Sequence, residues 1–94
     1  MSIVAPDYPL LWLKRLDALW QDKPAADSFW AAGPLFREMQ GLIGDAYDHD
    51  ACGDALWSLI TDGLVRAVEI EDDQVLQIRP LGREALAALE GPPG

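Results

Sequence analysis

The stretch Asp48-His49-Asp50-Ala51-Cys52-Gly53-Asp54 places three carboxylates, an imidazole and a thiol within seven consecutive positions. These residue types ligate metals, and a thiol beside an imidazole is a nucleophile with a base at hand. As a calcium loop, Asp48, Asp50, Gly53 and Asp54 would take positions 1, 3, 6 and 7, but Cys52 falls at position 5 and Leu59 at position 12, where a bidentate Glu must close the shell. As a zinc site, His49 and Cys52 supply two ligands, and the chain has no second His or Cys to complete the set. No metal is expected.

The nucleophile reading needs a Cys52 thiol activated near a helix N-terminus, with His49 as its base. Against it, Cys52 lies four residues before Leu56 on the face that a helix here turns inward. That place wants a small apolar group, and free Cys is among the most buried residue types. The stretch therefore reads as a helix start. Cys52 is core, Asp48 or Asp50 is the N-cap, the acids favour the positive helix end, and His49 is an exposed bystander. Elsewhere there is no Gly-rich phosphate loop, no Ser-His-Asp set and no paired-carboxylate context, so neither catalysis nor a cofactor is expected.

The elements around this helix follow from periodicity. Trp12, Leu13, Leu16, Leu19 and Trp20 recur at helical spacing, predicting a helix from about Pro9 to Lys23, with Leu10 and Leu11 widening its stripe and Pro24 ending it. Leu35, Phe36, Met39, Leu42 and Ile43 repeat that spacing over Pro34 to Ile43, with Pro34 at the first position and Gly44 as the stop. The intervening KPAADSFWAAG fits either a short capped turn or irregular chain. The third helix carries Cys52, Leu56, Leu59 and Ile60 inward and stops at Gly63. Val65 to Ile70 and Val75 to Arg79 then read as a β-hairpin with a polar tip at Glu71 to Gln74, and LGREALAALE as a last short helix.

Ninety-four residues, half of them apolar, suffice for one modest core. One domain over residues 1–90 is expected, with 91–94 a frayed tail. The apolar N-terminal stretch has no basic residue before it and no small-residue cleavage site after it, so it does not read as a signal peptide, and no run reaches membrane-spanning length. With a single Cys there is no internal disulfide and nothing that points to an oxidising compartment; a cytoplasmic location without membrane association is the expectation.

Two local patterns carry a resemblance. Leu56-x-x-Leu59-x-x-x-Gly63-Leu64-Val65 resembles the end of a recognition helix and entry to the first wing strand in winged helix-turn-helix domains. Ile78-x-Pro80-x-Gly82-Arg83, followed by Ala85, Leu86 and Leu89, resembles the second wing strand passing into the C-terminal helix of bacterial regulators of that fold. Together they span about Ala51 to Leu89. The resemblance implies an α+β, mainly α fold: a winged helix of three helices, a two-stranded wing and a short C-terminal helix. It also implies a recognition face at Asp54, Ser58, Thr61 and Asp62, and a wing tip at Glu71, Asp72, Asp73 and Gln74.

Charge separates this chain from the DNA readers among those regulators. Seven Lys and Arg against sixteen Asp and Glu give a formal charge of -9, and no Lys or Arg lies between Asp45 and Asp62. Duplex binding relies on neutralised phosphates, and base contacts need phosphate clamps to hold register. The seven cations, Lys14, Arg15, Lys23, Arg37, Arg66, Arg79 and Arg83, are scattered; Arg66, Arg79 and Arg83 could converge at the base of the wing, with surface solvation the plainer reading.

Trp57 lies one step off the buried line, so its ring either packs on the wing or anchors a partner. The expectation is an acidic, non-catalytic protein-interaction module, an adapter or regulatory subunit, that binds a protein through Asp54, Trp57, Ser58, Thr61, Asp62, Glu71, Asp72 and Asp73. A dimeric DNA-binding regulator of the winged-helix class is the alternative, and a nucleic-acid mimic that inhibits a basic protein is the third. Leu10 and Leu11 would suit homodimer formation.

Overall fold

A computed structural model describes residues 6–91 of the protein. Four helices carry most of the chain: α1 Tyr8–Asp22, α2 Ala32–Ile43, α3 His49–Thr61 and α4 Pro80–Glu90. Three short strands, β1 Trp30–Ala31, β2 Val65–Ile70 and β3 Asp73–Ile78, form an antiparallel sheet in the order β1-β3-β2. The fold is α+β, mainly α, and its arrangement is compatible with a winged helix.

α1 is the centre of the core. Asp7 caps it by accepting from the Leu10 amide at 3.3 Å, and Tyr8, Trp12, Leu13 and Leu16 are buried against α3, α4 and β3. The helix ends at Asp22 because Pro24 disfavours helical backbone at Lys23. α2 begins two residues earlier than its apolar period suggests, which puts Pro34 at the third helical position, where its missing N–H still costs no helical hydrogen bond. Gly44, at φ 74°, closes α2 in left-handed backbone, and a 3-10 turn over Gly44–Ala46 leads toward α3.

The end of α3 is a Schellman motif. The Gly63 amide donates to the Ile60 carbonyl at 3.1 Å and the Leu64 amide to the Leu59 carbonyl at 2.9 Å, with Gly63 at φ 80°. The chain is thereby turned straight into β2, whose Val65 joins Cys52, Leu56, Leu59, Leu76 and Ile78 in the core.

The sheet corrects the expectation of a two-stranded wing. Trp30 and Ala31 pair with Leu76 and Val75, filling the edge of β3 that the hairpin leaves open. Two residues are too few to show alternation, which is why β1 is not visible in the sequence. The hairpin itself is tighter than expected. Ile70 pairs with Asp73, leaving only Glu71 and Asp72 in the turn, both at positive φ (50° and 68°). A two-residue turn of that kind matches the twist of its strands. The frayed-tail expectation falls largely on residues 92–94, outside the described residues. Among the described residues no helix is long and apolar enough to cross a membrane.

Candidate functional site

The Asp48–Asp54 stretch opens α3 as its periodicity requires. Asp48 is the N-cap, accepting from the Ala51 amide at 3.2 Å, while its own amide donates to the Tyr8 hydroxyl at 2.7 Å. Cys52 is fully buried, and its carbonyl accepts from the Trp12 indole at 3.0 Å. Burial pushes the thiol up from its ordinary value, and the hydrogen bonds of Tyr47 and Trp12 offset this only in part. A protonated, enclosed thiol is a poor nucleophile. No group of three or more metal-ligating side chains occurs among the described residues.

His49 departs from the expected bystander. Although exposed, its Nδ1 shares a 2.7 Å hydrogen bond with the Tyr47 hydroxyl, and its ring lies 5.1 Å from Phe36. Tyr47 in turn meets Tyr8 edge-on at 6.4 Å. The cluster ties the loop between α2 and α3 to both α1 and α2. No helical spacing announces it, because Tyr47 precedes the helix and its neighbours come from three elements.

Asp54, Trp57, Ser58, Thr61 and Asp62 lie along the outer side of α3 and are all exposed. Trp57 is 66 % accessible, so most of its surface faces solvent. Around it the helix offers carboxylates and hydroxyls, and no cation. Glu71, Asp72 and Asp73 are also exposed, at the far end of β2 from α3, roughly 16 Å along the strand at about 3.3 Å per residue. The expected partner-binding residues thus form two patches, a Trp-centred helix face and an acidic turn.

Two surface features stand apart from these patches. Leu11, Leu35, Met39 and Leu42 line an apolar groove of about 250 Å³ between α1 and α2, bridged by Arg15 donating to both carboxylate oxygens of Glu38 at 2.7 and 3.2 Å. Leu10 and Leu11, read as dimer-forming, are half-buried against the core. The second feature is a cleft of about 490 Å³ with Arg66, Arg79 and Arg83 on its walls. These cations converge, where scattered solvation was the plainer expectation. Trp20, placed by its spacing on the apolar stripe of the first helix, is half-buried and forms another wall. The sequence signal was positional, with Arg83 one helical turn after Arg79; the pairing of Arg66 with Gln77, two residues before Arg79, is given by the sheet register.

No protein-family model matches the chain, and no curated protein or solved structure matches it either.

Proposed function

We propose that the protein is a non-catalytic, acidic winged-helix module, an adapter or regulatory subunit, that binds another protein through the outer face of α3 and the hairpin turn. Trp57 is the anchor, and Asp54, Ser58, Thr61, Asp62, Glu71, Asp72 and Asp73 form the polar and charged surroundings. The observation that carries this reading is the 66 % exposure of Trp57 in the middle of a helix with no cation. A large indole left in water contributes nothing to the core, and Trp is enriched among the residues that dominate protein interfaces. The acids around it favour a partner whose facing surface is basic.

The alternative of a DNA-binding regulator asks the same face to approach phosphate, which a helix bearing Asp48, Asp50, Asp54 and Asp62 opposes. A nucleic-acid mimic would use those acids as phosphate surrogates against a basic protein, and the positive-φ turn that presents Glu71 and Asp72 favours it as the second reading. Salt distinguishes the two protein-binding modes: an indole anchor depends on it modestly, a mimic steeply.

The test uses immobilised full-length protein to capture partners from its source cells, followed by titration of each purified partner against wild type and Trp57→Ala. A partner whose affinity falls at least about tenfold on losing the indole supports the reading. Partners that bind Trp57→Ala as well as wild type would reject it.

A further inference from the structure

The cleft walled by Trp20, Arg66, Ile78, Arg79, Pro80 and Arg83 is a feature that the interaction module does not use. It lies where the C-terminal end of α1, the paired ends of β2 and β3, and the start of α4 meet; no α3 residue lines it. Its volume, about 490 Å³, falls within the range of about 300–1,000 Å³ common for small-molecule sites. Three of the chain's seven cations stand around this one space in a molecule of formal charge -9.

Neighbouring acids do not account for the gathering. Among the described residues, Arg83 has one carboxylate in range, Asp17 at 3.6 Å, whereas Arg66 and Arg79 have none. The Arg66 guanidinium instead lies 5.7 Å from the centre of the Phe29 ring. The loop carrying Phe29 is held on the sheet by Gln77, whose side-chain amide donates to the carbonyls of Ala25, Ala26 and Ser28 at 3.3, 3.1 and 2.9 Å. Phe29, which does not itself line the cleft, thus sits on a tethered loop beneath the Arg66 guanidinium. The start of α4 adds positive potential: Arg79 stands at its N-cap, no side chain caps it and no acid occupies its first turn.

We propose that this cleft binds a phosphate monoester carried on a planar ring, a ligand of the size of a nucleoside monophosphate. A dianionic phosphate offers three terminal oxygens to the guanidinium forks, more than one carboxylate supplies, and Arg recognises phosphate bidentately. Trp20, Ile78 and Pro80 provide the apolar wall that a ring requires. The net charge selects against long polyanions, whose phosphates beyond the cleft would meet a negative surface, while a compact anion interacts within the screening length of about 8 Å.

The test is a titration of the uniformly labelled full chain, followed by NMR at the Trp20 indole, the arginine Nε groups and the amides of Leu81 and Gly82. The probes are adenosine, guanosine and uridine 5′-monophosphates, the free nucleosides and inorganic phosphate. Saturable shifts confined to those groups are expected for at least one monophosphate. Its affinity should exceed that of phosphate or the matching nucleoside at least about tenfold and fall at least about tenfold in Arg79→Gln, a change at an exposed side chain. Absence of saturable shifts up to about 10 mM would overturn the site. Equal affinity for phosphate and every monophosphate would overturn the ring-bearing ligand, and undiminished binding by both Arg79→Gln and Arg66→Gln would overturn the role of the arginines.

Discussion

Trp57 and Cys52 belong to one helix and face opposite ways, and their chemistry follows from that placement. Replacing the exposed Trp57 with Ala should change folding stability by no more than about 0.5 kcal/mol in urea melts, while weakening partner binding at least about tenfold. A large loss of stability would show that the indole packs after all. For Cys52, burial keeps the thiol protonated in the folded chain at pH values where the unfolded chain, with the ordinary value of 9.0, has lost its proton. The unfolded state then binds fewer protons, so stability falls as pH rises past about 9 and is unaffected by this group below it. Urea melts between about pH 8.5 and 10 should show that decline, and Cys52→Ala, less stable throughout, should show a shallower one. An equal slope in the variant would assign the decline to other groups, such as Tyr47, whose phenol is also pushed up, chiefly by burial. Helical spacing was enough to place Cys52 in the core and an Asp at the cap. It could not pair His49 with Tyr47, because Tyr47 stands before the helix N-cap, outside the helical period that places the residues of α3.

At the scale of elements, the approach of α4 to the sheet depends on Gly82. A Cβ there would press into the Leu64 carbonyl oxygen and stand 2.9 Å from Ile78 Cγ1, and that same carbonyl accepts the Arg79 amide at 3.0 Å. Gly82→Ala should cost at least about 1–3 kcal/mol. Gly53→Ala, in the interior of α3 with nothing within 4 Å, should stabilise by about 0.5–1 kcal/mol; equal effects of the two substitutions in thermal melts would refute the close approach. Glu71 and Asp72 occupy left-handed backbone that Asn-Gly adopts with less strain, so Glu71→Asn with Asp72→Gly should raise stability by about 1 kcal/mol while removing two acids from the tip. Under the proposed function, that variant is more stable and binds its partner less well; unchanged partner affinity would remove the turn from the site. Most elements were legible because their apolar periods are long. β1 was not, since two residues carry no period and its existence depends on the open edge of β3.

For the whole molecule, the distribution of charge decides more than its total. The formal charge of -9 predicts repulsion of nucleic acid, yet the seven cations are not spread evenly: Arg66, Arg79 and Arg83 share one cleft while α3 has none. The total was legible in the sequence, as was the acidity of the helix and wing. The convergence of arginines from two strand ends and a helix start was only suggested, because it requires the register of β2 on β3 and the fixed path into α4. Under the proposed function, the helix and turn that would meet DNA in a winged-helix regulator instead meet protein. Titrating the protein into labelled mixed-sequence duplex at low salt, where phosphate contacts are strongest, tests it by fluorescence anisotropy. The prediction is no saturable binding even at about 100 μM protein, weaker than typical non-specific DNA binding. Saturable binding that weakens steeply as salt is raised would contradict the claim and restore the DNA-binding regulator.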